Sequence, residues 1–171
     1  MSDCWSMYGG SLVYGKTDST ITTIDQESFS GLEKIVHFYK TFCYYQNLTK
    51  VNYDFDNAVF SNHTFSECPK LQSFEGNMPK LVQGFRMFYR CGSLTHVQCD
   101  LPNLSQGFDM FGSNDINTAP KLDEASVKYI VDNIKDWSGD SKTHTITIGT
   151  SLADVTTYNT MFSDKGWSVT W

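Results

Sequence analysis

Apolar residues recur along this chain at a fixed step of 23 positions. The clearest series consists of four phenylalanines: Phe42, Phe65, Phe88 and Phe111. The same step relates Leu48, Leu71 and Leu94, as well as Val51, Phe74 and Val97, Cys68 and Cys91, and Phe85 and Phe108. A fixed period of about 20 to 50 residues is typical of repeat architectures, in which each unit stacks on its neighbours. The period predicts about three good units with atypical units at both ends.

Inside each unit the hydrophobic pattern changes its period. After the leucine, Val51 and Tyr53 alternate with polar residues, and the next two units repeat this alternation. Period two predicts a strand with one buried face. A later stretch places Leu81, Phe85 and Phe88 at steps of four and three, which predicts one apolar face of a short helix. The next unit repeats this face with Leu104, Phe108 and Phe111. Each unit is therefore predicted to be a strand, a turn and a short helix, with the strands stacked in a parallel sheet.

The pattern divides one continuous domain into three segments. Residues 1–31 are an N-terminal arm and a degenerate first repeat, residues 32–119 are the 23-residue repeats, and residues 120–171 are a C-terminal capping segment. In the last segment Asp123 can cap a helix with Val127 and Ile130 on one face. A strand at 145–148, a short helix near 152–162 and a final strand at 167–171 are predicted to follow. We expect this segment to cover the open strand edge, which would otherwise invite association.

The repeated unit reads F-x-x-C-x-x-L-x-x-V/F followed by P-x-L-x-x-x-F-x-x-M-F, and it is best seen in FRMFYRCGSLTHV and FDMFGSN. This unit resembles the BspA-like leucine-rich repeats. The resemblance covers about residues 32 to 119, with Tyr45 and Asn114 standing where cysteine is expected. The C-terminal segment, through TITIG and KGW, is similar to the closing segments of gut bacterial surface proteins and phage tail or fibre proteins. The resemblance implies an α/β, leucine-rich-repeat-like solenoid with parallel strands, short helices and a C-terminal cap of a helix and strands.

Composition and charge exclude several classes of function. A net charge of −6 argues against generic binding to nucleic acids or anionic membranes. The chain lacks an 18-residue apolar run, so membrane insertion is not expected, and its first residues do not have the pattern of a signal peptide. Five cysteines fit neither a disulfide framework nor a zinc site. Cys68 and Cys91 share one repeat position and are predicted to be free buried thiols.

Catalytic and metal-binding patterns are weak in this sequence. The stretch 52–57 resembles the start of a calcium loop, but Asn57 and His63 stand where the loop needs Gly and Glu. The repeat also predicts that Tyr53 and Phe55 point inward. The four histidines fall in different units, and there is no nucleophile elbow or phosphate-binding loop. We therefore predict that the protein is not an enzyme and that it binds neither a cofactor nor a metal.

The outward strand face is the best candidate for binding. Its polar side chains stand one unit apart, about 5 Å between neighbouring strands. The candidate residues form three columns: Lys50, Ser73 and His96; Asn52, Glu75 and Gln98; Asp54, Asn77 and Asp100. Two interpretations stay open, a solvated face that keeps the protein soluble and a polar platform for a protein or glycan. Aromatic residues are expected to point mostly inward, which weakens the case for sugar stacking.

The repeat, the missing signal peptide and the resemblance of the C-terminal segment favour a phage virion surface protein. Such a tail, fibre or capsid-decorating component would be non-enzymatic and would serve host recognition or structural attachment. Its partners would be a protein or glycan on a host surface, other virion proteins, or further copies in a homo-oligomer. Residues 1 to 16 would form an attachment arm. The alternative is a bacterial cell-surface adhesion module within a longer exported protein.

Overall fold

The computed structural model describes residues 20 to 171, and its fold is mixed α/β with parallel strands. The elements are, in chain order, β1 (Thr23–Asp25), a 3-10 helix (Leu32–Lys34), β2 (His37–Tyr39), β3 (Lys50–Asn52), β4 (Phe60–Asn62), β5 (Ser73–Glu75), β6 (His96–Gln98), β7 (Gln106–Phe111), α1 (Glu124–Asn133), β8 (His144–Ile148), α2 (Thr156–Asp164) and β9 (Trp167–Thr170). The predicted attachment arm, residues 1 to 16, lies outside the described residues.

The strands belong to two sheets. Sheet A has the order β1-β3-β5-β6. Sheet B contains β2 and β4 followed by β7, β8 and β9, and single bridges from Gln83 to Phe60 and to Gln106 join the two groups. Every strand pair within residues 20–171 is parallel. Parallel pairing of successive short strands requires each unit to return to the same side of the molecule before the next one begins.

The strands pair in the register that the sequence predicts. In sheet A, Val51 pairs with Phe74 and Phe74 pairs with Val97, which are steps of 23 residues. In sheet B, β2 pairs with β4 at the same step. The first step in sheet A is longer, because Ile24 pairs with Val51. Strand β1 therefore corresponds to the shifted first copy, and each 23-residue unit is called a rung below.

The short helices predicted within the repeats are wrong. Between residues 36 and 122, all of which the structure describes, the chain forms strands, bridges and turns but no helix. The backbone N–H groups of Gly84, Arg86 and Phe88 donate to carbonyls of the next rung, at 2.9, 3.1 and 2.8 Å. A helix would use those donors for carbonyls four residues earlier in its own segment. Each of these rungs thus contributes a second extended segment, which lies in sheet B.

A left-handed residue at one corner explains the helix-like spacing. Four consecutive rungs have φ values of 54°, 56°, 51° and 53° at the same position, which holds Lys40, His63, Arg86 and Asp109. This conformation costs about 1–2 kcal/mol for a residue other than glycine, and the hydrogen bonds to the next rung offset that cost. Phe85 lies before the corner and points outward, whereas Phe88 lies after it and is buried. The steps of four and three therefore arise from two extended segments that meet at a corner.

The phenylalanine series forms a continuous stack in the core, as predicted. From Phe42 through Phe65 and Phe88 to Phe111, the ring centroids are 5.4, 5.6 and 5.1 Å apart and the planes differ by 10° or less. Phe74 of β5 meets Phe88 edge-on at 4.9 Å, so the stack packs against the inward face of sheet A. Such aromatic pairs contribute about 0.5–1.5 kcal/mol each beyond the burial of their area.

Helix α1 covers the free edge of sheet A. It begins at the predicted cap, where the Asp123 carboxylate accepts a hydrogen bond from Ser126 N at 2.8 Å. The Ser126 hydroxyl accepts from Val97 N at 2.8 Å, and the Asn133 carbonyl accepts from Leu101 N at 3.1 Å. Through these contacts α1 accepts hydrogen bonds from the backbone N–H groups of Val97 and Leu101. At this open edge of the sheet, a further strand could otherwise pair with β6. Strands β8 and β9 extend sheet B, and α2 packs against β9.

The cysteines in the described part of the chain are all buried and free: Cys43, Cys68, Cys91 and Cys99. This outcome confirms the predicted state of the thiols at the shared repeat position, while Cys4 lies outside the described residues. The Cys91 thiol donates to the Phe65 carbonyl at 3.0 Å. Burial raises the pKa of Cys91 to about 12 and that of Cys43 to about 11. Because the thiolate is the reactive form, these groups are poor nucleophiles at neutral pH.

We expect iodoacetamide to leave these four buried cysteines unmodified in the native protein at mildly alkaline pH. Burial both raises the pKa of the thiols and blocks access of the reagent. After unfolding in guanidinium, all four should react within the same incubation time. Peptide mapping by mass spectrometry measures each site separately, and rapid modification of Cys91 in the native protein would contradict its burial.

Candidate binding surface

The outward face of sheet A carries the predicted binding residues in the predicted columns. Two columns lie within the strands, Lys50, Ser73 and His96 in one and Asn52, Glu75 and Gln98 in the other. The third column follows the strands and contains Asp54, Asn77 and Asp100. Val51, Phe74 and Val97 lie between the first two columns and are fully buried. The assignment of outward and inward positions is therefore as predicted.

Two carboxylates of the third column form hydrogen bonds within the protein. The Asp54 carboxylate accepts a hydrogen bond from Asn77 N at 2.7 Å, which joins adjacent rungs. The Asp100 carboxylate accepts from the Tyr129 hydroxyl at 2.7 Å, and this hydrogen bond raises the pKa of Tyr129. Since Tyr129 belongs to α1, Asp100 helps to hold the helix on the sheet edge. A partner that bound these carboxylates would have to compete with both contacts.

Residues of the other two columns make two further side-chain contacts. Lys50 Nζ lies 3.1 Å from Glu75 Oε1, with the side chains 44% and 36% exposed, so the pair contributes at most about 1 kcal/mol. His96 Nδ1 lies 3.8 Å from Asp123 Oδ2. Burial acts against ionisation of Asp123, but hydrogen bonds from Ser126 and the nearby His96 outweigh it and lower the pKa of the carboxyl. Since Lys50 faces Glu75 and the third column adds Asp54 and Asp100, the face is acidic overall.

The groups most accessible to a partner are side-chain amides. Asn52, Asn77 and Gln98 are exposed and come from three adjacent rungs. Each amide offers two N–H donors and a carbonyl acceptor, and neighbouring strands are about 4.8 Å apart. The arrangement can bind a polar chain laid across the strands.

A hollow lies beside this face at its β1 end. Its volume is about 350 Å³, and it is lined by Asp25, Gln26, Glu27, Asn52, Tyr53 and Asp54. Tyr53 is buried as predicted, and its hydroxyl donates to Glu33 Oε2 at 2.5 Å. Burial, followed by this carboxylate, raises the pKa of Tyr53 to about 12. Within residues 20–171, no three His, Cys, Asp or Glu side chains are placed to hold a metal ion.

Sheet B exposes a second surface that the sequence analysis missed. Its outward aromatic side chains, named the aromatic strip, are His37, Tyr39, Phe60, His63, Phe85 and Phe108. Neighbouring rings of the strip are in contact. His37 stacks on Phe60, with 4.9 Å between the ring centroids, and Phe85 stacks on Phe108, with 5.5 Å between the centroids. His63 contacts both Tyr39, at 6.3 Å, and Phe85, at 5.5 Å. The expectation that aromatic residues point mostly inward holds for sheet A, where Tyr53, Phe55 and Phe74 are buried, but not for these side chains of sheet B.

Polar groups border the aromatic strip. Asn62 Nδ2 donates to Gln83 Oε1 at 2.8 Å, and Gln83 Nε2 donates to Gln106 Oε1 at 2.6 Å, so three amides form a ladder across the rungs. Arg86 forms an ion pair with Asp109 at 3.0 Å. Its guanidinium also lies over the Phe85 ring, 5.1 Å from the centroid, and over the ring of Tyr89 at 4.8 Å.

One signal for the aromatic strip was present in the sequence. Phe85 and Phe108 keep the 23-residue step, but the spacing to Phe88 and Phe111 favoured a helix with all four on one face. A period-two pattern over 83–85, before the corner at Arg86, would place Gln83 and Phe85 outward. A helix and a strand over this stretch differ in which carbonyls accept hydrogen bonds from the backbone N–H groups. The sequence does not indicate which carbonyls these are.

Comparisons of the chain with protein-family models, with curated proteins and with solved structures gave no significant match. In the residues that the structure describes, no helix is long and apolar enough to cross a bilayer.

Proposed function

We propose that this chain is a non-enzymatic binding protein built as a leucine-rich-repeat-like solenoid. The solenoid is supported by the 23-residue pairing in both sheets and by the phenylalanine stack that passes through four successive rungs. We further propose that it is a phage virion surface component, in a tail, a fibre or the capsid decoration. The resemblance of the repeat and of the C-terminal segment supports this assignment.

One observation carries the proposal of binding: sheet A holds nine polar side chains in columns that repeat from rung to rung. The partner would lie across β3, β5 and β6 and contact the exposed amides of Asn52, Asn77 and Gln98. On a virion, such a surface would serve host recognition or attachment to another particle protein. The acidic character of the face favours a partner region that is rich in hydrogen-bond donors.

Mass spectrometry of purified phage particles that carry this gene tests the assignment. We expect the protein in the particles at a fixed ratio to the major capsid protein. If it is absent from the particles, the virion proposal fails. Detection on the surface of uninfected bacteria would instead support the adhesion module.

A triple variant tests the surface itself. We expect Asn52→Ala, Asn77→Ala and Gln98→Ala together to weaken binding to host cells, or to particles that lack the protein, by about tenfold or more. The unfolding free energy should change by less than about 1 kcal/mol, because all three side chains are exposed. The matched control replaces three exposed polar residues of the C-terminal segment by alanine: Ser141, Thr143 and Ser163. Equal binding of both triple variants would exclude the sheet A face as the binding surface.

A further inference from the structure

A second hollow lies where β7, β8 and β9 end. Its volume is about 510 Å³, and it is lined by residues that follow these three strands and by the loop 113–121. The three strands are parallel, so their carboxyl ends meet at one edge of sheet B. Ligands of open α/β sheets bind outside this edge, and small-molecule sites have volumes of about 300–1,000 Å³. The hollow is separate from sheet A, and the inference below does not depend on binding there.

Hydrogen bonds fix the walls of this hollow. Gly149 N donates to the Phe111 carbonyl at 2.9 Å, and the Gly149 carbonyl accepts from Leu122 N at 3.0 Å. These two bonds join the ends of β7 and β8 to the chain that follows the loop. Within the loop, the hydroxyl groups of Ser113 and Thr118 are hydrogen bonded at 2.8 Å. The hollow is therefore formed before a ligand enters, which reduces the ordering that binding requires.

The unpaired charge at this hollow is positive. Lys121 lines it and is exposed, and within residues 20–171 its ammonium has no hydrogen-bond or ion-pair partner. Asp109, the one carboxylate among the described lining residues, is ion-paired with Arg86 at 3.0 Å. Asp115 and Asp123 are close in sequence but do not line the hollow, and both carboxylates accept hydrogen bonds from backbone N–H groups of their own turns. An anionic ligand would therefore meet a cation that has no competing partner.

Three neutral polar side chains around the hollow are also available to a ligand. Asn114, Ser151 and Thr170 line it and are exposed, and none of their side chains is hydrogen bonded in the part of the chain that the structure describes. An amide and a hydroxyl group can each donate and accept, so these groups can exchange hydrogen bonds with the hydroxyls of a sugar.

The hollow has an apolar wall as well. Trp171 lines it and is partly buried, and Ile116 of the loop is 81% exposed. The Trp171 indole N–H donates to Asn159 Oδ1 at 3.3 Å, and Phe162 packs edge-on against the ring at 6.0 Å, so the tryptophan is held in place from α2. A pyranose presents apolar C–H groups as well as hydroxyls, so it matches both kinds of wall.

We propose that this hollow binds the terminal acidic sugar of a glycan, a pyranose that carries one carboxylate. The carboxylate pairs with Lys121, the ring hydroxyls bond to Asn114 and Ser151, and the C–H groups pack against Trp171. A carboxylate fits better than a phosphate group, because the hollow offers one lysine and no free arginine among its described lining residues.

Titrations followed by the amide chemical shifts in two-dimensional NMR test the proposal. The probes are methyl β-D-glucuronide, methyl β-D-glucoside, which lacks the carboxylate, and acetate, which lacks the sugar ring. We expect the glucuronide to shift the backbone signals of Gly112, Gly149 and Ser151 and the indole signal of Trp171. Its dissociation constant should be about threefold to fivefold below that of the glucoside, because an exposed ion pair contributes little, and added salt should reduce the difference. Acetate should bind more weakly than either sugar. Absence of these shifts with the glucuronide, or equal affinity for all three probes, would overturn the proposal.

Variants separate the charge from the rest of the site. Lys121→Gln should abolish the preference for the glucuronide and leave the affinity for the glucoside unchanged. Lys142→Gln is the matched control, since Lys142 is also exposed but does not line the hollow, and it should keep the preference. Asn114→Ala should weaken both sugars by the same factor and leave the fold intact, because its side chain is exposed. A Lys121→Gln variant that still prefers the glucuronide would refute the proposal.

The sheet A triple variant distinguishes this site from the surface proposed above. We expect it to bind the glucuronide as the wild type does, because none of its three residues lines the hollow. Loss of glucuronide binding in that variant would place the sugar on sheet A and overturn the assignment to the hollow.

Discussion

Replacing Phe88 by alanine will lower the free energy of unfolding by about 3–5 kcal/mol, as expected for a fully buried phenylalanine. The ring stacks on Phe65 at 5.6 Å and on Phe111 at 5.1 Å, and Phe74 packs edge-on against it at 4.9 Å. Its removal leaves a void between two rungs whose backbones are held by inter-rung hydrogen bonds, so the void cannot close freely. Urea unfolding followed by circular dichroism measures the loss.

The same substitution one rung further on provides the control. Phe108→Ala removes an identical side chain that is 49% exposed and stacks mainly on Phe85. We expect a loss below about 1.5 kcal/mol there, because the site opens to solvent and no cavity forms. A loss below about 1 kcal/mol at Phe88 would show that the phenylalanine stack is not the centre of the core.

The repeat made the sheet A surface predictable. Side chains alternate between the two faces of a strand, so one buried position such as Val51 assigns its neighbours on either side. The 23-residue step then transfers that assignment to Phe74 and Val97, and with it the columns of polar residues. The alternation of side chains is a property of a single rung, and the 23-residue repeat carries the same alternation to the next rung. This is why the strand faces and the core stack could be predicted from the sequence.

The second extended segment of each rung, in sheet B, could not be predicted in the same way, because hydrogen bonds to the next rung determine whether it is a strand or a helix. The spacing of Leu81, Phe85 and Phe88 fits a helix as well as two extended segments that meet at a corner. The donors of this stretch bond to the next rung, and the left-handed Arg86 makes the corner, which no local propensity of arginine predicts. A helix over this stretch would turn Phe85 and Phe108 toward the core. The helical pattern therefore does not indicate the aromatic strip.

Replacing Gly76 by alanine will destabilise the protein by about 3 kcal/mol, near the upper end for overpacked sites. A Cβ at this position would lie 2.0 Å from the carbonyl oxygen of Tyr53 and 2.8 Å from its carbonyl carbon. The Tyr53 backbone cannot move aside easily, because its N–H donates to the Glu75 carbonyl at 3.0 Å within the ladder between the rungs. The alanine must therefore push two rungs apart. Chemical unfolding of the variant beside the wild type measures the effect.

Gly139→Ala is the matched control, since a Cβ there would meet no heavy atom within 4 Å. We expect a change of less than about 1 kcal/mol, of either sign. If Gly76→Ala were equally mild, neighbouring rungs would have to separate at little cost. The spacing between rungs would then vary easily, and the amide columns of sheet A could not present a fixed repeat to a partner. The stability of Gly76→Ala therefore bears on the proposed sheet A surface, although Gly76 is not one of its nine candidate residues.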